Sequence, residues 1–522
     1  MIFVCNFFRS LLVQTCLAMS FRRSSFKRQR VFAKDVDAGS LQRMLSDPAL
    51  SFKSLKRVAD AVSTDPDIVQ QCSYQNIQAA VRLEYEAFNT TLVMERIGGG
   101  EVTLPLCEPN MLLMHLLQEA PQLAEWYGEA ANVHGCGRDH PWRMVLAFDE
   151  FTPGDPLKPT NTRKIMVVSF NFIQLGSELL SRADTWVTPL VIRHTMLETI
   201  SGGFSRVLRD FLKLQLLGPN GLLTVGVPLM VNGAPLTIFA KVQFLLGDGD
   251  GLRLALDWRG AGSLKPCFRH GNVWKAGSDM ARRIEGHVEH TCADPSLFKT
   301  TSAHEFEQIV DHLIWAKSQW SAGLMTKSNF EKLQKVAGTK CNPLSFFADP
   351  ELRPHVKPTE IVTVDWMHSL LQDGVLAVDA SLFLQAAGIQ YSRLEHYLKA
   401  DWTFPKWQHN NIKPHKIFNS QRARSHTEAG KLKCQASELL AVYGLIRHFV
   451  QTRVPDEPGL HLKRASFLAA CSVVDILLEA KHGRMPFAQA LILTYSYSYS
   501  YSYPLLETCY TYSYALYPHL YL

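Results

Sequence analysis

Two apolar runs in this chain end in acids. MVLAFDEF (144–151) closes on Asp149 and Glu150 and is broken off by Thr-Pro-Gly-Asp-Pro at 152–156, while LTIFAKVQFLL (236–246) runs straight into Gly247-Asp248-Gly249-Asp250. Short apolar runs rich in β-branched and aromatic residues and bounded by Gly and Pro are read as strands. Acids at the ends of adjacent strands of one sheet converge although far apart in sequence. This feature makes the expected fold α/β, a mixed sheet flanked by helices. The alternative reading is that such acids only cap turns, a common use of Asp.

Other segments fill in the organisation. From Ser51 to about Ala131, VADAV, IQAAVRL and MLLMHLLQEAPQLAEWY place apolar residues at three- and four-residue spacing, with a turn around Gly98-Gly99-Gly100; this predicts a helical module over 51–141. KIMVVSFNFIQLG (164–176) reads as a second strand, and Ser181 to Leu217 as helical. LLTVGVPLMV (222–231) and the run at 236–246 flank Asn232-Gly233-Ala234-Pro235, a hairpin-like turn. Gly251 to Trp258 begins a helix. The expected core is 142–450, followed by a helical part over 451–490.

Composition adds less. With 47% hydrophobic and 20% charged residues the chain is globular in class. The formal charge of +6 is misleading, because residues 1–34 hold seven basic residues and no acid, and without them 47 basic residues face 48 acidic ones. DNA contact must then come from local basic patches. Eleven cysteines, mostly isolated in apolar surroundings as at Cys72, Cys341, Cys434 and Cys471, favour reduced thiols over a disulfide framework. No run reaches the ~18 apolar residues of a membrane span. The basic segment 1–50, with RRSSFKRQR at 22–30, reads as a nuclear-import patch or, less favoured, a mitochondrial address; the alternative is translation from Met19 with residues 1–18 not genuine protein. The Tyr-Ser alternation at 495–503 marks 491–522 as a low-complexity tail.

Phosphodiester cleavage needs an activated nucleophilic oxygen and a stabilised leaving oxygen, which two divalent ions held by clustered carboxylates provide. AFDEFTPGDPLKPTNTRKIMVVSFNF (147–172), LLGDGDGLRLALDWRGAGSLKPCFRHGNV (245–273) and TVDWMHSLLQDGV (363–375) follow in that order. Together they resemble the DDE transposases of CACTA-type elements and of the Kyakuja–Dileera–Zisupton group. The resemblance covers about 300 residues of the chain. It implies an RNase H-like core that cuts and joins DNA with two Mg2+ or Mn2+ ions. Asp149 maps to the family's first acid and Asp248 to its second, with Asp250 as fallback. Asp365 and His368 match an Asp-x-x-His element. Glu438, in KLKCQASELLAVYGLIRHFV (431–450), matches the last acid, with Asp365 as the alternative third ligand and an ordinary helix-surface acid as the other reading of Glu438.

Two further constellations stand beside the acids. Within 267–292, Cys267, His270, His287, His290 and Cys292 offer five donors for a structural Zn2+, of which four suffice. Between Trp402 and Lys433, Lys406, Lys413, Lys416, Arg422, Arg424, Lys431 and Lys433 are interleaved with Trp402, Phe404, Trp407 and Phe418. Basic residues neutralise phosphate and aromatics stack on bases, so this stretch is expected to contact DNA; a solvated loop with buried aromatic anchors is the competing reading. The functional expectation is a nuclear, self-associating transposase-like protein, active or as a decayed or domesticated copy. A zinc-stabilised nucleic-acid-binding or scaffold protein without chemistry is the alternative. No G-x-S-x-G elbow or glycine-rich phosphate loop supports a hydrolase or nucleotide enzyme.

Overall fold

The computed structural model describes residues 88–151, 164–231, 233–260, 263–290, 292, 294–372, 374–400, 402 and 413–481. The expected N-terminal segment, the helices predicted over 51–87, the breaker at 152–156 and the Tyr/Ser tail lie outside them. Among the described residues, the chain divides into two compact units. One takes in residues up to Gly203 together with Asp210–Lys241; the other takes in Phe204–Arg209 and the chain from Val242 onward.

The first unit opens on a hairpin, not on helix. Strands β1 (Asn89–Glu95) and β2 (Glu101–Cys107) pair antiparallel from Asn89↔Cys107 to Glu95↔Glu101. The helical expectation missed a period of two: Val102, Leu104 and Leu106 are buried while Glu101, Thr103 and Pro105 between them are exposed. Gly98, Gly99 and Gly100 have φ of +88°, +101° and +81°, so the glycine turn joins strands. Helices α1 (Pro109–Glu119) and α2 (Pro121–His134) follow as predicted, each with proline in its first turn; Glu108 caps the first through Met111 N.

Strands β3 (Trp142–Phe151), β4 (Ile165–Phe172) and β5 (Val187–Arg193) form an antiparallel meander. IMVVSFNF is buried at every position after its first, which marks β4 as covered on both faces. β5 corrects the first part of the helical reading of Ser181–Leu217, while Gly203–Leu212 and Lys213–Leu217 are helical as expected. The VTPLVIR sequence of β5 carries Pro189, which argues against a central strand, but β5 is the last strand in the sheet order and its pairing shifts register between Val168 and Phe170. Proline is tolerated at such an edge or bulge. The run at 236–246 is likewise two strands. Strand β7 (Ala234–Ile238) pairs with β6 (Val227–Val231) as the expected hairpin, and β8 (Ala240–Gly247) starts anew after Phe239.

In the second unit β8 leads into α3 (Gly249–Ala255). A short parallel pair, β9 (Val273–Trp274) and β10 (Val288–Glu289), lies in the segment that follows. Helices α4 (Ala303–Ser321) and α5 (Lys327–Ala337) come next, and β11 (Val362–Val364) pairs parallel with β8. The five-stranded sheet has the order β11-β8-β3-β4-β5 and is mixed, so the α/β class is as expected.

The remainder is helical: α6 (Val375–Ala386), α7 (Tyr391–Ala400), α8 (Ser420–Ala429), α9 (Ala436–Arg453) and α10 (His461–Lys481). VLAVDASLFLQA in α6 is apolar nearly all round, the pattern of a helix enclosed by others. Phe383 stacks on Phe467 within a core that includes Leu394, Phe418, Leu439 and Val474. No single helix among the described residues is long and apolar enough to cross a membrane.

Candidate active site

β8 and β11 bring two of the predicted acids to neighbouring strand ends. Their register pairs Val362 with Leu245, Thr363 with Leu246 and Val364 with Gly247. The next residue on each strand is an aspartate, Asp365 and Asp248. In a parallel pair both strands leave the sheet at the same edge. The two aspartates therefore sit side by side although about 116 positions separate them in the chain.

Each aspartate is held by the backbone that turns away from its strand. Asp248 is the N-cap of α3 and accepts from Gly251 N at 2.6 Å; its other oxygen carries no hydrogen bond among the described residues. The fallback Asp250 is exposed and ion-pairs with Arg253 at 3.1 Å. Asp365 accepts from Met367 N at 2.9 Å and from His368 Nδ1 at 2.7 Å. Burial pushes its carboxyl up, but the His368 imidazole and the Met367 amide outweigh this and hold it below the usual carboxylate range. It is an anion at neutral pH. His368 belongs to a π-helical turn (Met367–Leu371), and Gly374 closes that turn so tightly that a Cβ there would lie 2.2 Å from Ser369 O.

Asp149 lies on β3 opposite Val167 of β4. Its neighbour Glu150 contacts His194 Nδ1 and lies 3.6 Å from Lys164 Nζ. Glu438 is N3 of α9. Arg422 Nη1 lies 3.0 and 3.1 Å from its two oxygens, and Gln435 N donates to it at 2.9 Å in a reciprocal capping box. That is the local, structural use of a helix-surface acid.

The five candidate zinc donors are only partly assembled. Cys267 Sγ lies 3.2 Å from His270 Nδ1, both residues being buried. Burial drives the Cys267 thiol up and the His270 imidazole down to about 4. His290 Nδ1 accepts from Ala276 N, His287 Nδ1 faces Met280 O, and Cys292 Sγ faces Asp294 O. Among the described residues no three or more His, Cys, Asp or Glu side chains gather as a metal site, at this segment or at the acids.

In the basic stretch, Lys406, Phe404 and Trp407 lie outside the described residues. Lys413, Lys416 and Lys433 are exposed and Lys431 is half-buried. Arg422 is held by Glu438, and Arg424 by Glu428 at 2.8 Å. Phe418 is fully buried and the partly buried Trp402 packs edge-on against Tyr397 and His448, so both aromatics pack into the helical core. His426 ties the stretch together: Nε2–H donates to Ile417 O and Nδ1 accepts from Lys433 N, which fixes it as the neutral tautomer.

Asp257 does not stand out in the sequence. It has φ of +52°, accepts from Asn342 Nδ2 at 2.7 Å, and burial pushes its carboxyl up to about 7. The only local signal is that Asp, unlike most residues, visits the left-handed region. No protein-family model matches the chain, and no curated protein matches it.

Proposed function

We propose that the chain is a transposase-like protein in which Asp248 and Asp365 hold Mg2+ or Mn2+ for cleavage and strand transfer on DNA, Asp149 being the first acid that the resemblance implies. The observation that carries the reading is the register Val364↔Gly247, which sets two aspartates at one edge of a parallel strand pair. Hard divalent ions take such oxygen ligands, and two ions so held activate the attacking oxygen and stabilise the leaving one. The RNase H-like assignment of the sheet is part of the proposal. An antiparallel meander with later strands added beside its first strand, in the order β11-β8-β3-β4-β5, supports it.

Between the two expected third acids, the geometry favours Asp365. Glu438 is engaged by Arg422 and its own helix cap, whereas Asp365 is oriented by His368 and kept ionised. In this reading His368 is a positioning residue. DNA is the partner, a nucleus the compartment, and the exposed lysines at 413, 416 and 433 the phosphate contacts. The zinc expectation has the Cys267–His270 contact in its favour and no third donor beside it among the described residues.

The test is DNA nicking by the full chain with Mg2+ or Mn2+. Activity abolished in Asp149→Ala, Asp248→Ala and Asp365→Ala and retained in Glu438→Ala is the expected result. An inert wild type under both ions contradicts the catalytic reading. Full activity in Asp365→Ala with loss in Glu438→Ala returns the third role to Glu438.

A further inference from the structure

Away from the strand-end acids, residues between Lys265 and Ala337 line an open cleft of about 740 Å³. That volume lies in the range of small-molecule sites, which are mostly apolar with a few placed polar groups. Leu313, Leu333 and Val336 supply apolar wall, and Trp274, stacked on His287 with ring centroids 5.4 Å apart, supplies aromatic wall.

Four polar side chains on the lining are more than nine-tenths buried: Lys265 at 7% exposure, Asn272 and Trp274 at 5% and Thr301 at 4%; Asn272 is satisfied by Gly286 O, Leu297 O and Lys299 N. Trp274 Nε1 and Thr301 Oγ1 have no hydrogen-bond partner. No hydrogen bond or ion pair to Lys265 Nζ occurs among the described residues. Of the two acids on the lining, Glu305 caps α4 through Ser302 N and Oγ and acts on Lys265 only through space, without a direct ion pair, and Glu285 is exposed. Burying the Trp274 and Thr301 polar atoms without partners is costly, and burial also disfavours the Lys265 ammonium beside them. All three can donate, so the complementary ligand is rich in acceptors and negatively charged.

We propose that this cleft binds a small molecule with an anionic head and an apolar body, the head received by Lys265, Thr301 and Trp274 and the body lying against Leu313, Leu333 and Val336. The site is independent of the metal reading. Its occupant needs no divalent ion and no DNA.

The test is calorimetric titration of the full chain in EDTA with phenyl phosphate, inorganic phosphate and benzyl alcohol. Phenyl phosphate is expected to bind with one-to-one saturation, inorganic phosphate more weakly, and benzyl alcohol not at all. Lys265→Met should weaken phenyl phosphate by about tenfold or more, and Thr301→Val by a smaller factor. Lys265→Met removes a buried charge while keeping side-chain length, so its unliganded Tm is expected to equal or exceed that of the wild type. Absence of saturable binding, or equal affinity in wild type, Lys265→Met and Thr301→Val, overturns the proposal. Equal affinity for the two phosphates overturns its apolar-body half. Because EDTA is present, failure here leaves the metal-dependent reading untouched.

Discussion

Arg422 Nη1 lies 3.0 and 3.1 Å from the two carboxylate oxygens of Glu438. The same carboxylate accepts from Gln435 N, so the acid expected from the resemblance as the last metal ligand is held by its own helix start. Glu438→Ala should therefore lower stability by about 1 kcal/mol, mostly through removal of the cap, since a partly exposed ion pair adds little. Chemical denaturation checks the decrease, and nicking activity should persist. A variant as stable as wild type contradicts the structural role.

His368 acts on Asp365 through one 2.7 Å hydrogen bond. Asp365 has its folded carboxyl held below the ordinary range, so the stability it contributes is present above its unfolded pKa and is lost as pH falls through the folded one. His368→Ala should bring that acid loss to higher pH. Thermal unfolding followed from about pH 6 downward reads it. Coincident wild-type and variant profiles would show that the hydrogen bond does not tune Asp365.

Asp379 carries the opposite sign. Buried in α6 and accepting from Ser466 Oγ at 2.8 Å, its carboxyl is pushed up from 3.8 to about 6 by burial. The protonated form suits the fold, so its contribution is full below about 3.8 and is lost as pH rises through about 6. Asp379→Asn keeps the acceptor and removes the charge. It should gain on the order of 2–3 kcal/mol at about pH 8 and almost nothing at about pH 4, measured by urea unfolding. A uniform decrease at both values contradicts this.

Legibility followed the range of the interaction. The acid-ended strand at 144–151 and the acid-ended half of 236–246 were readable because apolar content and Gly/Pro breaks are local, whereas the break at Phe239 was not. Nor was β5, since Pro189 and a flanking helical pattern outweigh seven strand residues until a neighbouring strand is present. The hairpin 89–107 fell into a stretch read at helical period, although Val102, Leu104 and Leu106 alternate. Asp365 is visible in the sequence through its Asp-x-x-His spacing, but its place beside Asp248 depends on a register between strands far apart in the chain. Glu438 shows the reverse: the sequence left it open between a last metal ligand and an ordinary helix-surface acid, and the capping box at Gln435 and Glu438 falls on the second reading.

The basic stretch makes a prediction in salt. Lys413, Lys416, Lys431 and Lys433 replaced together by Gln should weaken DNA binding regardless of sequence. The slope of log K against log salt should flatten by about 0.9 for each phosphate that is no longer neutralised. An unchanged slope removes this stretch from the DNA interface.

Metal binding at the paired strand ends tests the central claim most directly. Mn2+ titration of the full chain, followed by electron paramagnetic resonance, should show binding that weakens by about tenfold or more in Asp248→Ala and again in Asp365→Ala, as expected when an ion is deprived of an oxygen ligand. Mn2+ affinity identical in wild type, both single variants and the double variant would contradict the account.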